Sequence, residues 1–279
     1  MRAIKRVGVS GMILLLILAV IMVIELYPML WMILSSMKAP DQFSRSMLDL
    51  PRGFYYLNYI NAWTRGMFGI YARNSIIVTG GSMVIVLFFG SMIGFAIEKM
   101  RWKLSAITLN IFLSGIMVPM IVLLLPQYLI IKWMGLYDNL LSLIFVMSMV
   151  QLPVAIFIFS NFFRFMPNDV MESAVLDGCN IYQVYFQIVV PLSLNTFVTV
   201  TLCSFFIFWN EFIYANTFIS SVNMKTIQVG ISFFVGYFNS TEWGPIFAGL
   251  CIATLPTIIL YIILNQKVMS GMIAGSVKG

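Results

Sequence analysis

Charged side chains, histidine and cysteine are scarce in this sequence. Of the 279 residues only 9% are charged, none is histidine and three are cysteine. Without histidine, neither a Ser-His-Asp nor a Cys-His catalytic set can form. Cys179, Cys203 and Cys251 are too far apart in the sequence for a metal-ligand pair, and we expect none of them outside the cell, so neither a metal site nor a disulfide framework is indicated. No segment matches the phosphate-binding pattern GxxxxGKS/T, so we expect neither an enzyme nor a cofactor held by this chain.

Apolar side chains make up 61% of the sequence and dominate its composition. Soluble domains are about 45–50% apolar and about 25% charged. Because a water-soluble protein must cover itself with polar groups, this composition excludes a soluble enzyme, a disordered chain and a nucleic-acid binder. The net charge of +6 is typical of Lys and Arg residues that anchor cytoplasmic loops. We therefore expect an integral membrane protein surrounded by membrane lipid.

Apolar stretches long enough to cross a bilayer recur along the whole chain, since a spanning helix takes about 20 residues. They are continuous, unlike the short alternating segments of a membrane β-barrel, so the sequence predicts an all-α protein with six transmembrane helices. We treat residues 1–279 as one transmembrane domain. The predicted spans cover residues 11–34, 74–97, 104–131, 140–162, 190–215 and 245–266.

The distribution of Lys and Arg predicts the orientation of these spans. Both residue types are denser in the segments that lie inside when the N-terminus is cytoplasmic. The cluster of Lys99, Arg101 and Lys103 is the strongest single indicator. We therefore expect both termini in the cytoplasm, an extracytoplasmic loop over residues 35–73 and a cytoplasmic tail over residues 267–279.

Glycine and proline inside the spans indicate how the helices meet. Gly90 and Gly94 form a GxxxG pattern, which is typical of close helix packing. Proline removes a backbone donor and tends to kink a helix. Pro119 and Pro126 are seven residues apart, so we expect both to lie close to one face of the third span.

The longest inner connection, residues 163–189, is predicted to begin with a short helix. Pro167 favours a turn into a helix, and Asp169 followed by Glu172 is typical of an N-terminal capping box. Gly178 is suited to a left-handed helix end. A narrow stripe of apolar and small residues, which would allow close approach by another surface, recurs at helical spacing: Met171, Ala174, Val175 and Gly178.

A second short helix is predicted to follow, with Asn180 and Gln183 as its N-terminal cap. Its apolar stripe again has helical spacing: Ile181, Val184, Tyr185 and Ile188. The segment has two alternative interpretations. A helix resting on lipid headgroups would favour Lys and Arg, but residues 168–187 contain neither and carry three acidic side chains, Asp169, Glu172 and Asp177. Because acidic faces repel anionic lipid, the sequence favours a basic groove on a partner protein.

One pattern in this connection resembles the EAA loop of permease subunits of ATP-binding-cassette importers. It reads Glu172-Ser173-Ala174-x-x-Asp177-Gly178 and is followed by Ile188 and Pro191-Leu192. The motif Trp209-Asn210-Glu211-Phe212 and the tail 271–279 are similar to the carbohydrate branch of that family, in particular to the smaller permease of maltose and multiple-sugar importers.

This resemblance implies the MetI-like fold of a type I importer permease in a bacterial inner membrane. It also implies that the 163–189 loop is a coupling helix, which docks into a cleft of an ATPase subunit. The implied partners are a second homologous permease, two ATPase subunits that bind ATP and Mg, an extracytoplasmic solute-binding protein and a sugar. The residues to which the resemblance assigns ATPase coupling are Glu172, Ser173, Ala174, Asp177, Gly178, Ile188 and Pro191.

Polar and aromatic residues of the fourth and fifth spans are candidates for the solute path. They are Gln151, Trp209, Asn210 and Glu211. Internal hydrogen bonding between helices is an alternative role for each of them. Carboxylates in membrane spans also favour an alternative function, an ion-coupled secondary transporter that would depend on Glu25 or Glu211. A membrane scaffold without transport activity is a third possibility.

Overall fold

The structure, a computed structural model, describes residues 9–100, 102–237 and 242–276. The regular elements of these residues are all helices, which confirms the predicted all-α class. Arg101 and residues 277–279, which the orientation and tail predictions include, lie outside the described residues. In chain order the helices are α1 (Val9–Ser36), α2 (Pro40–Arg45), α3 (Leu57–Thr64), α4 (Phe68–Lys99), α5 (Ser105–Ile116), α6 (Met120–Trp133), α7 (Leu140–Phe165), α8 (Asp169–Leu176), α9 (Ile181–Leu192), α10 (Leu194–Trp209), α11 (Ile213–Phe218), α12 (Ile227–Tyr237) and α13 (Trp243–Ser276).

Four helices in the described part of the chain are long and apolar enough to cross a membrane. They are α1, α4, α7 and α13, and they overlap the predicted first, second, fourth and sixth spans. Two further pairs, α5 with α6 and α9 with α10, pass the same test when each bent pair is taken as one span. Counted in that way, the structure has six candidate spans.

The third predicted span, residues 104–131, is wrong as one continuous helix. The axes of α5 and α6 differ in direction by 101°. The break lies at Pro119, whose backbone is extended (φ −61°, ψ 132°) and which precedes the first residue of α6. Proline cannot donate the backbone hydrogen bond that would continue α5. Pro126 lies inside α6, so the two prolines do not share one helix face.

The fifth predicted span, residues 190–215, is likewise wrong as one helix. The axes of α9 and α10 differ by 74°, and α10 ends at Trp209. Pro191 has no N–H to donate to the carbonyl four residues earlier. Six residues just before it, Val184–Val189, are wound as a π-helix. At the bend the Ser193 hydroxyl donates to the Val189 carbonyl at 2.7 Å.

Two compact units divide the chain, and the larger one comprises residues 69–230 together with residues from 255 onward. Its core includes the contact of α4 with α7. A Cβ atom built on Gly94 would lie 3.0 Å from the Phe159 Cβ, and one on Gly90 would lie 3.0 Å from the Ala155 Cβ. The two helices therefore approach as closely as the GxxxG pattern predicts, which confirms that expectation.

The smaller unit comprises residues up to 68 and the described part of residues 231–254. Within it the predicted extracytoplasmic loop contains α2 and α3. The Asn58 side-chain amide donates to the carbonyls of Ser36 and Lys38, both at 2.8 Å. The Lys38 ammonium donates to the Met47 carbonyl at 2.7 Å and lies 5.5 Å from the ring centroid of Trp31. These bonds fold the loop against the end of α1.

Candidate functional site

The predicted coupling segment contains a helix, α8, whose apolar stripe faces the core of its own chain. Met171 and Ala174 are buried and belong to the same apolar cluster as Phe163 and Tyr185. Only Val175 and Gly178 of the stripe are exposed. Half of the stripe therefore fixes α8 to the fold, and Val175 and Gly178 are the part of it that another surface could approach.

The N-terminus of α8 differs from the predicted capping box. Asn168 occupies the N-cap position and Asp169 is the first helical residue, so no box forms between Asp169 and Glu172. Asn168 has helical backbone angles (φ −71°, ψ −30°), and its side chain makes no capping bond. Both acidic residues instead lie in the first turn, where the helix dipole favours negative charge.

The C-terminus of α8 is the left-handed end that the sequence predicts. Gly178 has φ +90°. Its N–H donates to the Val175 carbonyl at 3.0 Å, and the N–H of Cys179 donates to the Ala174 carbonyl at 3.0 Å. This pair of bonds is a Schellman motif, which a glycine at the left-handed position permits at little steric cost.

The start of α9 has the second capping box that the sequence predicts. The Gln183 N–H donates to Asn180 Oδ1 at 2.9 Å, and the Asn180 N–H donates to Gln183 Oε1 at 2.8 Å. Further along α9, Ile188 is partly buried against the core, while Pro191 is exposed and follows the π-helix. These two predicted coupling residues therefore lie on the route from α8 into α10, more than ten residues beyond the end of α8.

Polar side chains at the end of α4 hold the coupling segment, and sequence reasoning missed this role. The Lys99 ammonium donates to the Met166 carbonyl at 2.7 Å and to Asn168 Oδ1 at 2.8 Å. The preceding residue, Glu98, forms an ion pair with Arg164 of α7 at 3.2 Å. From the sequence Lys99 is informative only about membrane orientation, because helical periodicity cannot predict contacts with residues more than 60 positions away.

A second link joins α4 to α9 deeper in the core. The hydroxyls of Ser91 and Tyr185 are 2.6 Å apart. The Tyr185 ring also lies 5.3 Å from the Phe95 ring, which in turn lies 6.2 Å from the Phe163 ring. Helices α4, α7 and α9 therefore share one aromatic cluster directly beneath α8.

The outward surface of α8 combines an exposed apolar side chain with acidic groups. Leu176 is 88% exposed, and Glu172, Ser173 and Asp177 are exposed beside it. The Ser173 hydroxyl donates back to the Asp169 carbonyl at 2.8 Å. Next to this surface is a groove of about 480 Å³, whose lining includes Lys99, Asn168, Glu172, Leu176 and Ile181. An exposed apolar residue with a polar rim is typical of a protein contact.

Gln151 and Trp209, two of the candidates for the solute path, are buried and have internal partners. The Gln151 side-chain amide donates to the Ser204 hydroxyl at 3.4 Å, which links α7 to α10. The Trp209 ring stacks on Phe205 with a centroid separation of 5.6 Å. The Gln151 bond agrees with the alternative role of hydrogen bonding between helices, whereas Trp209 and Phe205 both belong to α10 and stack within one helix.

Asn210 and Glu211 lie in the break between α10 and α11. The Asn210 side chain donates to the Phe206 carbonyl at 2.9 Å and accepts from the Gln228 amide at 3.2 Å. The Glu211 carboxylate accepts the N–H groups of Tyr214 at 2.7 Å and Ala215 at 2.9 Å. Glu211 therefore caps the first turn of α11. Trp209, Asn210 and Glu211 are consecutive in the chain, whereas Gln151 contacts α10 at Ser204, five residues before Trp209.

A second polar cluster, also missed from sequence, lies at the other end of α7. Asp138 has φ +58° and its carboxylate accepts the N–H groups of Ser220 at 2.9 Å and Ser221 at 2.8 Å, together with the Ser221 hydroxyl. These donors, the Ser221 side chain first, lower the pKa of Asp138. Burial lowers the pKa of nearby Lys225, whose ammonium donates to the Ile219 carbonyl at 2.9 Å. The cluster fixes the connection between α11 and α12.

Comparison with known proteins finds a family and relatives that match most of the chain. The family described as "Binding-protein-dependent transport system inner membrane component" matches residues 86–268. The probable ABC transporter permease protein YurM of Bacillus subtilis is 33% identical over 253 residues, which is 91% of this chain and 84% of the relative. The trehalose/maltose transport system permease protein MalG of Thermococcus litoralis is 29% identical over 278 residues, which is 98% of this chain and 99% of the relative.

Solved structures match the fold as well. One of them is the crystal structure of a bacterial ABC transporter involved in the import of the acidic polysaccharide alginate. Its matching chain has a TM-score of 0.82 and 20% sequence identity, and the match covers 94% of this chain and 97% of that one. At this level of identity the similarity establishes the architecture.

Proposed function

The chain belongs to the family of inner membrane components of binding-protein-dependent transport systems, and from this we propose that it forms half of the translocation path of an ATP-binding-cassette importer for a sugar or oligosaccharide. It is a multi-pass inner membrane protein of the transporter class. The proposal includes a second homologous permease for the other half of the path. Two ATPase subunits would bind ATP and Mg, and an extracytoplasmic solute-binding protein would deliver the sugar.

The sugar substrate is supported by the relatives rather than by a pocket in this chain. The relative from Thermococcus litoralis is named for trehalose and maltose transport, and the transporter of similar fold imports alginate. Gln151, Trp209, Asn210 and Glu211 remain predictions for the solute path. Each would have to exchange an internal contact for a contact with the sugar.

The observation that carries the coupling proposal is the position of Leu176. This apolar side chain is 88% exposed at the end of a helix whose opposite side is anchored in the core through Met171 and Ala174. Docking of α8 into a cleft would remove Leu176 from water, which is favourable by about 25 cal/mol per Å² of apolar surface. Glu172 and Asp177 form an acidic rim that suits a basic cleft on the ATPase.

In this proposal the predicted orientation places α8 in the cytoplasm, where ATP is available. ATP binding would draw the two ATPase subunits together and displace the docked α8 of each permease. Because Met171 and Ala174 of α8 belong to the apolar core that also contains residues of α4, α7 and α9, these helices would move with α8. A rocking motion of this kind alternates access from one side of the membrane to the other.

An ion-coupled secondary transporter has less support than this proposal. That alternative depends on Glu25 or Glu211 as an ion-binding carboxylate. Glu211 already accepts two backbone N–H groups at the start of α11, and membership of the family favours the ATP-driven alternative.

Cysteine cross-linking tests the docking of α8. In a background where the native residues Cys179, Cys203 and Cys251 are replaced by serine, the L176C variant is labelled with a maleimide that carries a photoreactive benzophenone. It is then assembled with its ATPase and illuminated, so that the cross-link needs no cysteine on the ATPase. The matched control is W133C, because Trp133 is 87% exposed, about as much as Leu176. Trp133 lies before α7 and α8 lies after it, and the 26 residues of α7 span about 39 Å. Position 133 should therefore be too far from an ATPase that binds α8. We expect a cross-link to the ATPase for L176C alone. A complex that hydrolyses ATP and yet gives no cross-link at position 176 would refute docking through α8.

A further inference from the structure

We propose that Lys99 is a positioning residue, which latches the start of α8 to the end of α4 and so passes a displacement of α8 to α4 directly. The inference deepens the proposed function and rests on it, because α8 must dock on a partner for the latch to transmit anything. Lys99 lies at the end of α4, which contains the whole of the second predicted span, whereas α8 follows the fourth.

The geometry of the latch is a two-pronged hydrogen bond. Lys99 is the last residue of α4 and is half-buried. Its ammonium donates to the Met166 carbonyl at 2.7 Å and to Asn168 Oδ1 at 2.8 Å. Both acceptors belong to the short connection between α7 and α8. One side chain of α4 therefore fixes both the path of this connection and the N-cap residue of α8.

The hydrogen bonding of Asn168 indicates that its side chain favours the bond with Lys99 over a capping bond with the backbone of α8. Asparagine is among the best N-cap residues, because its side-chain oxygen accepts a backbone N–H of the first turn. In α8 the Asn168 side chain makes no such bond, and its oxygen accepts from the Lys99 ammonium instead. A charge-assisted hydrogen bond is stronger than a neutral one. The N-cap residue therefore serves the contact with α4 rather than the start of its own helix.

Neighbouring side chains of α4 reach different partners. Glu98 pairs with Arg164 of α7, and Ser91 bonds to Tyr185 of α9. These contacts join α4 to α7 and to α9, the helices before and after α8 in the chain. The bond from Lys99 to Asn168 adds α8 itself to the set. A simple interaction of Lys99 with the negative end of the α4 dipole would leave the role of Asn168 unexplained.

The test uses the complete complex, with its ATPase subunits, in lipid nanodiscs. The variants are K99M, which removes the ammonium and keeps an apolar stem, K99R, which keeps a cationic donor, and N168A, which removes one acceptor and keeps the charge. The matched control is K103M, because Lys103 is an exposed lysine four residues further along. Two quantities are measured: hydrogen exchange of backbone amides in residues 168–177, and ATP hydrolysis with and without the purified solute-binding protein, unliganded or mixed with trehalose or maltose.

We expect hydrogen exchange in residues 168–177 to become about tenfold faster in K99M and N168A, and to stay unchanged in K99R and K103M. We also expect the first two variants to lose most of the stimulation of ATP hydrolysis by the binding protein, while K99R retains it. If K99M does not assemble, N168A gives the same readouts with the lysine intact.

Two results would overturn the inference. Exchange in K99M and N168A equal to that in K103M would show that there is no latch. Faster exchange with full stimulation of ATP hydrolysis would show that Lys99 only stabilises the segment. A wild-type complex that the binding protein does not stimulate would instead count against the proposed function, while the exchange data would still decide whether the latch exists.

Discussion

Replacement of Gly178 by alanine isolates the contribution of the left-handed end of α8. A Cβ atom at Gly178 would meet no heavy atom within 4 Å, so the substitution creates no steric clash with neighbours. Only the backbone angle, φ +90°, opposes it. The expected effect is therefore strain in the Schellman motif, without a change in packing.

The size of this effect follows from two opposing contributions. A non-glycine residue in the left-handed region costs roughly 1–2 kcal/mol. Alanine also restricts the unfolded chain, which returns about 0.4–1 kcal/mol. The net loss is about 1 kcal/mol, so opening of the final turn of α8 should become about fivefold more frequent. Because φ +90° lies well away from the left-handed minimum near +57°, we expect the cost of the left-handed conformation to lie in the upper part of its range of roughly 1–2 kcal/mol.

Gly135 provides a matched control for the same strain. It has φ +70°, and a Cβ atom there would also meet nothing within 4 Å. Its N–H and that of Leu136 donate to the carbonyls of Lys132 and Ile131 at 3.1 and 3.0 Å, which is the same Schellman motif at the end of α6. The two glycines therefore have the same kind of left-handed helix end and differ in which helix they terminate.

The assay measures hydrogen exchange of the two donor amides in each motif and ATP-dependent uptake by the reconstituted complex. We expect G178A and G135A to raise exchange at their own motif, and only G178A to reduce uptake per ATP hydrolysed. Unchanged exchange in G178A would refute the strain argument. Equal losses of coupling in both variants would show that the end of α8 has no special part in it.

Two further predictions concern packing and pH. G94A should lower the melting temperature of the protein in detergent, because the new Cβ atom would lie 3.0 Å from the Phe159 Cβ and such overpacking costs about 1–3 kcal/mol. The control G80A should leave the melting temperature unchanged, because a Cβ atom there meets nothing within 4 Å. The bonds from Ser221 lower the pKa of Asp138 below its ordinary value of 3.8, so their stabilisation is complete above that value and is lost as the pH falls through the lowered pKa. The difference in melting temperature between wild type and D138N should therefore be constant above about pH 5 and shrink below about pH 4, and a difference that grows on acidification would contradict this sign.

Composition and apolar run length predict the helical class and the approximate position of every candidate span. They do not predict the bends, because hydropathy is insensitive to backbone direction. Pro119 and Pro191 are visible in the sequence, yet proline is tolerated inside α6, α7 and α13 at Pro126, Pro153 and Pro256. Whether a proline bends or breaks a helix depends on how neighbouring helices satisfy the freed carbonyl groups, and this information is not local in the sequence.

Local signals within the coupling segment are predicted better than its contacts. The Asn180 capping box and the left-handed Gly178 depend on a few consecutive residues, and the structure confirms both. The capping box at Asp169 is wrong because Asn168 is the N-cap residue and Asp169 already lies in the first turn of α8. The Asn168 side chain in turn accepts a hydrogen bond from Lys99, 69 positions away. A bond from so distant a cation leaves no trace in a local pattern, so the partner of Asn168 could not be predicted from the sequence.

The direction in which α8 faces could not be predicted from its apolar stripe. An amphipathic helix normally turns its stripe towards whatever core is available. In a segment that connects two membrane helices, that core can be the end of its own bundle or the cleft of a partner, and the pattern is the same for both. Met171 and Ala174 pack on the bundle, which leaves Leu176, outside the stripe, exposed. The residues that fix such a helix and those that dock it must therefore lie on different faces, and substitutions on the two faces should separate loss of assembly from loss of coupling.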